Sequence, residues 1–271
     1  GASNYMDCIC GSTVCQYDNY NRGHCSAHDN YCSPYCPGGT YANSETSWIC
    51  TTCTTPGYYC PSSFSTLTSS TTDNPCPAGK YSNEFGLTSS DQCAGCSAGK
   101  YSTETGLNSD ALCAGRCSAG KWSSEVGLSS DSQCIGKCSQ GKWSNEVGLS
   151  NDMQCKNCSV GKWSNKTQLI SDMNCTGRCS AGKWSNEVGL AADTQCAGRC
   201  SIGKYSSETG LASDDNCAGL CSAGRFSNKV GLTKDEECAG KCSVGQYSKE
   251  AGLNADTQCK ICAAGQYADE L

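Results

Sequence analysis

The sequence predicts small disulfide-rich repeats: an elongated array of short β-hairpin and loop modules with little or no helix and no single hydrophobic core. Three observations lead to this fold class. Cysteine accounts for 28 of the 271 residues, a share typical of disulfide scaffolds. Leu, Ile, Val and Phe together account for only 29 residues, too few for one large core. The cysteines also recur at a nearly constant interval, as in repeat proteins.

The spacing of the cysteines divides the chain into four regions. Residues 1–35 are predicted to be an irregular Cys-rich N-terminal cap. Residues 36–75 hold divergent repeats, a short separate loop from Cys53 to Cys60, and a Ser/Thr-rich joint that is typical of a flexible or O-glycosylated segment. Residues 76–261 form nine tandem repeats of 20 or 21 residues, and residues 262–271 begin a truncated tenth.

Each full repeat contains two cysteines that lie 17 positions apart. The unit from Cys117 to Cys134 reads Cys-Ser-Ala-Gly-Lys-Trp-Ser-Ser-Glu-Val-Gly-Leu-Ser-Ser-Asp-Ser-Gln-Cys. Its glycines supply turn conformations, and its Lys-Trp-Ser stretch is short and extended, so we predict a two-stranded ribbon rather than a helix. The link of two or three residues between units varies in length while the unit does not, which indicates a rigid unit with a variable link.

We predict that the first cysteine of each unit bonds to the second, although this leaves Cys262 without a partner in the chain. One alternative joins the second cysteine of each unit to the first of the next, and another is zinc bound by Cys-x2–3-Cys pairs. Sequons at Asn157, Asn165 and Asn174 indicate a secretory, oxidising route, which favours disulfides. The assigned cysteines are Cys36 and Cys50, Cys76 and Cys93, Cys96 and Cys113, Cys117 and Cys134, Cys138 and Cys155, Cys158 and Cys175, Cys179 and Cys196, Cys200 and Cys217, Cys221 and Cys238, and Cys242 and Cys259.

One aromatic residue recurs in every unit with the period of the repeat. We predict that these rings pack between neighbouring repeats, since aromatic side chains bury large areas in a chain that is poor in aliphatic residues. The alternative is a stacking platform for sugars. A basic residue before most of the aromatics and an Asp before most second cysteines predict a solvated surface of mixed charge. The aromatic residues are Tyr81, Tyr101, Trp122, Trp143, Trp163, Trp184, Tyr205, Phe226 and Tyr247.

Composition also excludes several classes of function. A net charge of −6 and a pI near 5.0 argue against nucleic-acid binding, and no apolar run is long enough to span a membrane. The two histidines, His24 and His28, stand without a nucleophile–base–acid arrangement, so we expect no enzyme activity, catalytic residue, metal site or cofactor. Of the three sequons, Asn165-Lys166-Thr167 is the expected glycosylation site, because each of the others contains a cysteine.

The repeat motif resembles a known family. The pattern Cys-x-x-Gly-[Lys/Arg/Gln]-aromatic-Ser, then Gly-Leu, then Cys-x2–3-Cys resembles the ephrin-receptor-like cysteine-rich repeat, which is similar to cysteine-rich modules of tumour-necrosis-factor and growth-factor receptors. The resemblance covers residues 76–271 well and 36–60 loosely. It implies bonding of the first to the second cysteine in each unit and an elongated rod. Long, near-identical arrays also resemble surface proteins of algae and other protists, including the flagellar hairs called mastigonemes.

These observations predict a structural extracellular protein, secreted or part of a cell-surface appendage. It would form a stiff, disulfide-stapled rod or filament that carries glycans and associates with itself or with other extracellular proteins. Near-identical units favour this role, because a binding site normally breaks the symmetry of a repeat. The alternative is a receptor or adhesion ectodomain that binds protein or glycan through the array or the N-terminal cap.

Overall fold

The computed structural model describes residues 8–10, 13–15, 35–36, 39–42, 50–61, 63–64 and 74–266. Within these ranges the chain consists of small, disulfide-bonded hairpin units, which confirms the predicted fold class, and its only helical segments are single 3-10 turns. The core is divided among the units, as the low content of aliphatic residues requires. No helix in the described ranges is long and apolar enough to cross a membrane.

Each repeat forms one antiparallel hairpin between the dipeptide that ends in its aromatic residue and the link that follows its second cysteine. The strands have only two residues each, so a hairpin of this size needs support from other contacts. The paired strands are Lys80–Tyr81 with Ala94–Gly95, Lys100–Tyr101 with Gly115–Arg116, Lys121–Trp122 with Gly136–Lys137, Lys142–Trp143 with Lys156–Asn157, Lys162–Trp163 with Gly177–Arg178, Lys183–Trp184 with Gly198–Arg199, Lys204–Tyr205 with Gly219–Leu220, Arg225–Phe226 with Gly240–Lys241, and Gln246–Tyr247 with Lys260–Ile261.

A 3-10 turn lies before the second cysteine of each unit. In the Cys117 unit, the Gln133 Oε1 atom accepts hydrogen bonds from the N–H groups of Ser129 (2.6 Å) and Ser130 (3.2 Å), in the manner of a capping box. The Asp-x-Gln sequence thus fixes a helical turn that the hairpin prediction did not include. The turns are Ser90–Gln92, Asp110–Leu112, Asp131–Gln133, Asp152–Gln154, Asp172–Asn174, Asp193–Gln195, Asp214–Asn216, Asp235–Glu237 and Asp256–Gln258.

Ribbons with strands of two or three residues precede the regular repeats. Most of the predicted cap at residues 1–35, including His24 and His28, lies outside the described residues, and so do the side chains of Cys36 and Cys50. The paired strands in this region are Cys8–Cys10 with Thr13–Cys15, Tyr35–Cys36 with Ser63–Phe64, Thr40–Ala42 with Cys50–Thr52, and Tyr58–Tyr59 with Asn74–Pro75.

The chain divides into two compact parts. The first part is Gly1–Ser118 with Ser123–Ile135, and the second is Ala119–Trp122 with Gly136–Leu271. All contacts between units described below are contacts inside one of these parts. The residues of a unit that make these contacts are named after the Cys179 unit: Gly182 is its loop glycine, Trp184 its unit aromatic, Gly189 its turn glycine and Leu190 its unit leucine.

Candidate functional site: the contact between successive units

The disulfide is the fixed element of every unit. The structure bonds the first cysteine to the second in all nine full repeats, with Cα–Cα distances of 5.7 to 5.9 Å. This is the pairing predicted within units, and it overturns both alternatives for these cysteines, the bond from unit to unit and the zinc site. Among the described residues no group of His, Cys, Asp and Glu side chains is arranged to hold a metal ion.

Eight of these disulfides, from Cys76–Cys93 to Cys221–Cys238, each form a small core with the unit leucine, and the aromatic of the preceding unit packs against it. In the Cys179 unit, Cys179, Cys196 and Leu190 are at most 4% exposed, and Trp163 of the Cys158 unit packs against them. The rings therefore pack between repeats, as the sequence predicts. The structure shows this packing for Tyr59, Tyr81, Tyr101, Trp122, Trp143, Trp163, Trp184 and Tyr205.

For the last two predicted aromatics, Phe226 and Tyr247, the structure gives backbone pairing rather than packing against a disulfide core. Phe226 forms a backbone bridge with the unit leucine Leu253 of the next repeat, as the earlier aromatics do with theirs. Tyr247 lies opposite Lys260 in its own hairpin.

Inside each compact part, backbone hydrogen bonds join successive units. The N–H of Ser164 donates to the carbonyl of Leu190 (3.0 Å), and the N–H of the turn glycine Gly189 donates to the carbonyl of Cys158 (2.9 Å). Buried backbone groups need such partners, and strands of two residues cannot supply enough of them. The contact between units is thus made of backbone as much as of side chains.

Several loop glycines touch the unit after the next. A Cβ atom on Gly141 of the Cys138 unit would overlap the carbonyl oxygen of Gly189, two units further along the chain. A Cβ on Gly161 would meet Gly210 in the same way. Side chains are excluded here because two backbones approach closely. The turn role predicted for these glycines from the sequence does not include this contact.

An ion pair ties the start of many units to their 3-10 turn. In the Cys179 unit the Nζ of Lys183 donates to Asp193 Oδ2 (2.6 Å), and the N–H of Ser180 donates to Asp193 Oδ1 (2.7 Å). The two charged side chains are 21% and 27% exposed. The mixed-sign surface predicted from these two rows is therefore only partly exposed, and its charges pair within each unit. The same Lys–Asp pair joins Lys100 and Asp110, Lys142 and Asp152, Lys162 and Asp172, and Lys204 and Asp214.

The ion pair shifts the titration of the aspartates. Burial alone would raise the pKa of Asp193, but hydrogen bonds from Lys183 and Ser180 favour the ionised form more strongly, and the pKa lies below its ordinary value. Asp172 has its pKa lowered in the same way, since the hydrogen bonds from Lys162 and Ser159 outweigh its burial. These aspartates stay ionised and hold the unit together, which leaves them unsuited to general acid–base work.

The backbone angle ψ of the second cysteine differs between links of two and three residues. The second cysteine has ψ between 124° and 141° before a two-residue link and between 78° and 85° before a three-residue link. The additional residue, such as Ile135, stays outside the strand pairing. The prediction of a rigid unit with a variable link agrees with this geometry.

The two link types can present different residues to the unit aromatic. A three-residue link places a glycine opposite the ring, as Gly177 lies opposite Trp163, and a Cβ there would overlap the ring. In the two-residue link of the Cys138 unit, Lys156 lies opposite Trp143, with its Nζ 5.3 Å from the ring centroid and 2.9 Å from Glu146 Oε1. That ammonium is held by a cation–π contact and an ion pair together.

The predicted short loop from Cys53 to Cys60 is present and is closed by a disulfide, but it is part of a modified unit rather than separate from the repeats. Cys53 bonds to Cys60, and Cys60 stands where regular units have a buried serine. Tyr59 forms the same backbone bridge to a unit leucine, Leu87, as later aromatics do. The signal was present in the sequence, since Gly57-Tyr58-Tyr59-Cys60 aligns with the Gly-Lys-Trp-Ser of regular units.

The predicted glycosylation site lies on the exposed turn of the Cys158 unit. Asn165 and Thr167 are both exposed, whereas Ser164 beside them is buried. The Ser164 Oγ accepts a hydrogen bond from the N–H of Lys166 (3.2 Å), which closes the turn. Gln168 stands in place of the turn glycine and is the one non-glycine residue with positive φ, 61°, among the described residues.

No protein-family model matches the chain, and no curated protein matches it. The resemblance to ephrin-receptor-like repeats therefore stays a prediction, and function has to be inferred from the geometry of the units.

Proposed function

We propose that the chain is a structural extracellular protein, in which disulfide-bonded units line up as a stiff rod or filament subunit. One observation carries the proposal: inside each compact part, the same contacts to the next unit and to the one after it recur from repeat to repeat. A unit held by two successors resists bending more than one held by a single neighbour. Disulfides in every regular unit, and no membrane-spanning helix in the described ranges, suit a secreted protein.

The test is the shape of the oxidised full chain in solution. We expect small-angle X-ray scattering to give a rod, and a variant that lacks residues 158–199, two complete units, to give a shorter rod of unchanged cross-section. A radius of gyration near the ~18 Å of a compact domain of this length would overturn the proposal. The regular Cys200–Cys217 unit offers the fold control, because its disulfide must persist in the variant.

Self-association is the second element of the proposal. It includes the analogy to protist surface fibres such as mastigonemes. Electron microscopy of native material tests it: periodic filaments support a structural role, and isolated monomers contradict it.

A receptor or adhesion ectodomain is the second candidate, and one observation favours it. The turn of the Cys158 unit reads Lys166-Thr167-Gln168, a combination that no other regular unit has, and Gln168 stands where the others have the turn glycine. A binding site in the array would be expected at such an exception. Replacing these three residues with the Glu-Val-Gly of the Cys179 unit would then abolish binding to a cell surface, whereas a purely structural chain would keep its shape and its assembly.

A further inference from the structure

We propose that Asn165 carries an N-linked oligosaccharide and that the turn of the Cys158 unit is the one glycan-bearing turn among the described repeats. The inference depends on the proposed function in one respect, since the chain must enter the secretory route. It goes beyond that function by assigning a covalent modification to one side chain.

The geometry of the turn suits the modification. Asn165 is exposed, and its side-chain amide makes no hydrogen bond to any described residue. Thr167 is exposed as well, so the Asn-x-Thr recognition elements lie on the surface of the folded unit. The buried Ser164 anchors the turn. An oligosaccharide at Asn165 therefore displaces no packed group.

The residues of the other two sequons are engaged in a disulfide and in hydrogen bonds. Their middle residues, Cys158 and Cys175, are bonded to each other. The Asn157 carbonyl accepts a hydrogen bond from Trp143 Nε1 (3.1 Å), and a Cβ on Gly189 would lie 2.9 Å from the Asn157 Oδ1. The Asn174 Oδ1 accepts from Ser171 Oγ (3.0 Å). A glycan on Asn157 would therefore begin beside the backbone of Gly189, two units further along the chain.

The equivalent turns of other repeats, here called sibling turns, show what distinguishes the Cys158 unit. Three other units have an asparagine at the position of Asn165 that is followed two residues later by valine, and in a fourth unit the asparagine is followed by phenylalanine. These side chains at the position of Thr167 are 51 to 60% exposed, so a threonine there is accommodated without loss of packing. The sibling asparagines are Asn83, Asn145, Asn186 and Asn228.

The covalent step needs one co-reactant, a lipid-linked oligosaccharide diphosphate, which donates the sugar. The Nδ2 atom of Asn165 forms a bond to C1 of the first sugar. The bond between that C1 and the diphosphate oxygen breaks, and the lipid diphosphate leaves with the electron pair. One amide proton passes to a base of the transferase, and no group is oxidised or reduced.

The experiment uses the full chain expressed with a secretion signal in eukaryotic cells. Enzymatic removal of N-glycans converts a glycosylated asparagine into aspartate, which peptide mass spectrometry then locates in secreted and cell-retained fractions alike. Thr167→Val installs the residue of the sibling turns. Val188→Thr creates a sequon at Asn186 on the matched turn of the Cys179 unit. Non-reducing peptide mapping of the disulfides reports folding for every variant.

We expect a glycan at Asn165 in the unmodified sequence, none in Thr167→Val, and a second glycan at Asn186 in Val188→Thr. An unmodified Asn165, or a glycan at Asn157 or Asn174 in its place, would overturn the inference. Absence of the unit disulfides from the secreted chain would instead contradict the proposed function. The two failures are distinct, because glycan occupancy and disulfide pairing are read from separate peptides.

Discussion

The Cys158 and Cys179 units share the same disulfide spacing of 17 positions and the same Lys–Asp ion pair, yet their turns differ completely in sequence. Lys166-Thr167-Gln168 in one unit corresponds to Glu187-Val188-Gly189 in the other. Gln168 and Gly189 nevertheless both have positive φ, and the N–H of each donates to the first cysteine carbonyl of the preceding unit at 2.9 Å. Neighbouring units thus bond to the backbone of both turns, and the exposed side chains of Lys166 and Thr167 differ from those of Glu187 and Val188 without changing that bond.

The strongest loss of stability should come from removing the element that the two units share. Replacing both cysteines by alanine, at Cys158 and Cys175 or at Cys179 and Cys196, should cost about 3 to 5 kcal/mol of unfolding free energy in either unit. Guanidinium unfolding and limited proteolysis measure the loss. Clearly unequal costs would show that the units differ in their scaffold and not only in their turns.

Substitutions at the contact with the unit after the next should destabilise the chain to different extents at the two turns. A Cβ on Gly120 would lie 2.8 Å from the carbonyl oxygen of Gln168, whereas one on Gly141 would overlap that of Gly189. Both glycines have φ of 75°, so the conformational penalty is matched. We expect Gly141→Ala to cost about 2 to 3 kcal/mol and Gly120→Ala less, since the turn of Gln168 leaves more room. Equal losses in thermal unfolding would contradict the difference in contact.

Exchanging the turn residues should produce smaller, opposite effects. Gln168→Gly relieves a side chain from the left-handed region and should stabilise the chain by about 0.5 to 1 kcal/mol. Gly189→Gln introduces that strain and a contact with Asn157, so it should cost about 1 to 2 kcal/mol. Thermal unfolding of both variants and of the double exchange measures these changes. A destabilised Gln168→Gly would mean that the Gln168 side chain makes a favourable contact.

The weakest of these effects is the pH dependence that the two units have in common. The pKa values of Asp172 and Asp193 are lowered in the folded state, so their contribution to stability is present above the ordinary pKa of about 3.9 and is lost as pH falls through the lower folded value. Asp193→Asn should cost at most about 1 kcal/mol at pH 7 and reduce the loss of stability between about pH 5 and 3. Asp172→Asn is the matched variant, and an unchanged pH profile in both would contradict the role of the ion pair.

Much of the unit was predictable because its residues act locally in sequence. The fixed spacing of Cys179 and Cys196, with an aromatic and a leucine between them, predicted the disulfide pairing, the hairpin and the packing of rings between repeats. The Lys183–Asp193 pair was not predicted, since charges in a polar repeat suggest a solvated surface until the 3-10 turn brings them together. The modified unit at Cys53 was missed because its disulfide uses a different spacing.

Composition and cysteine spacing alone excluded one large apolar core and predicted that disulfides and aromatic rings hold each unit together. Which copies touch one another follows only from how the units pack in space. In a repeating sequence every unit offers the same groups, so a glycine such as Gly141 is equally compatible with contacts to any neighbour. The close approach of its backbone to Gly189, two units away, arises from the packing of several successive units. No local sequence pattern predicts this contact.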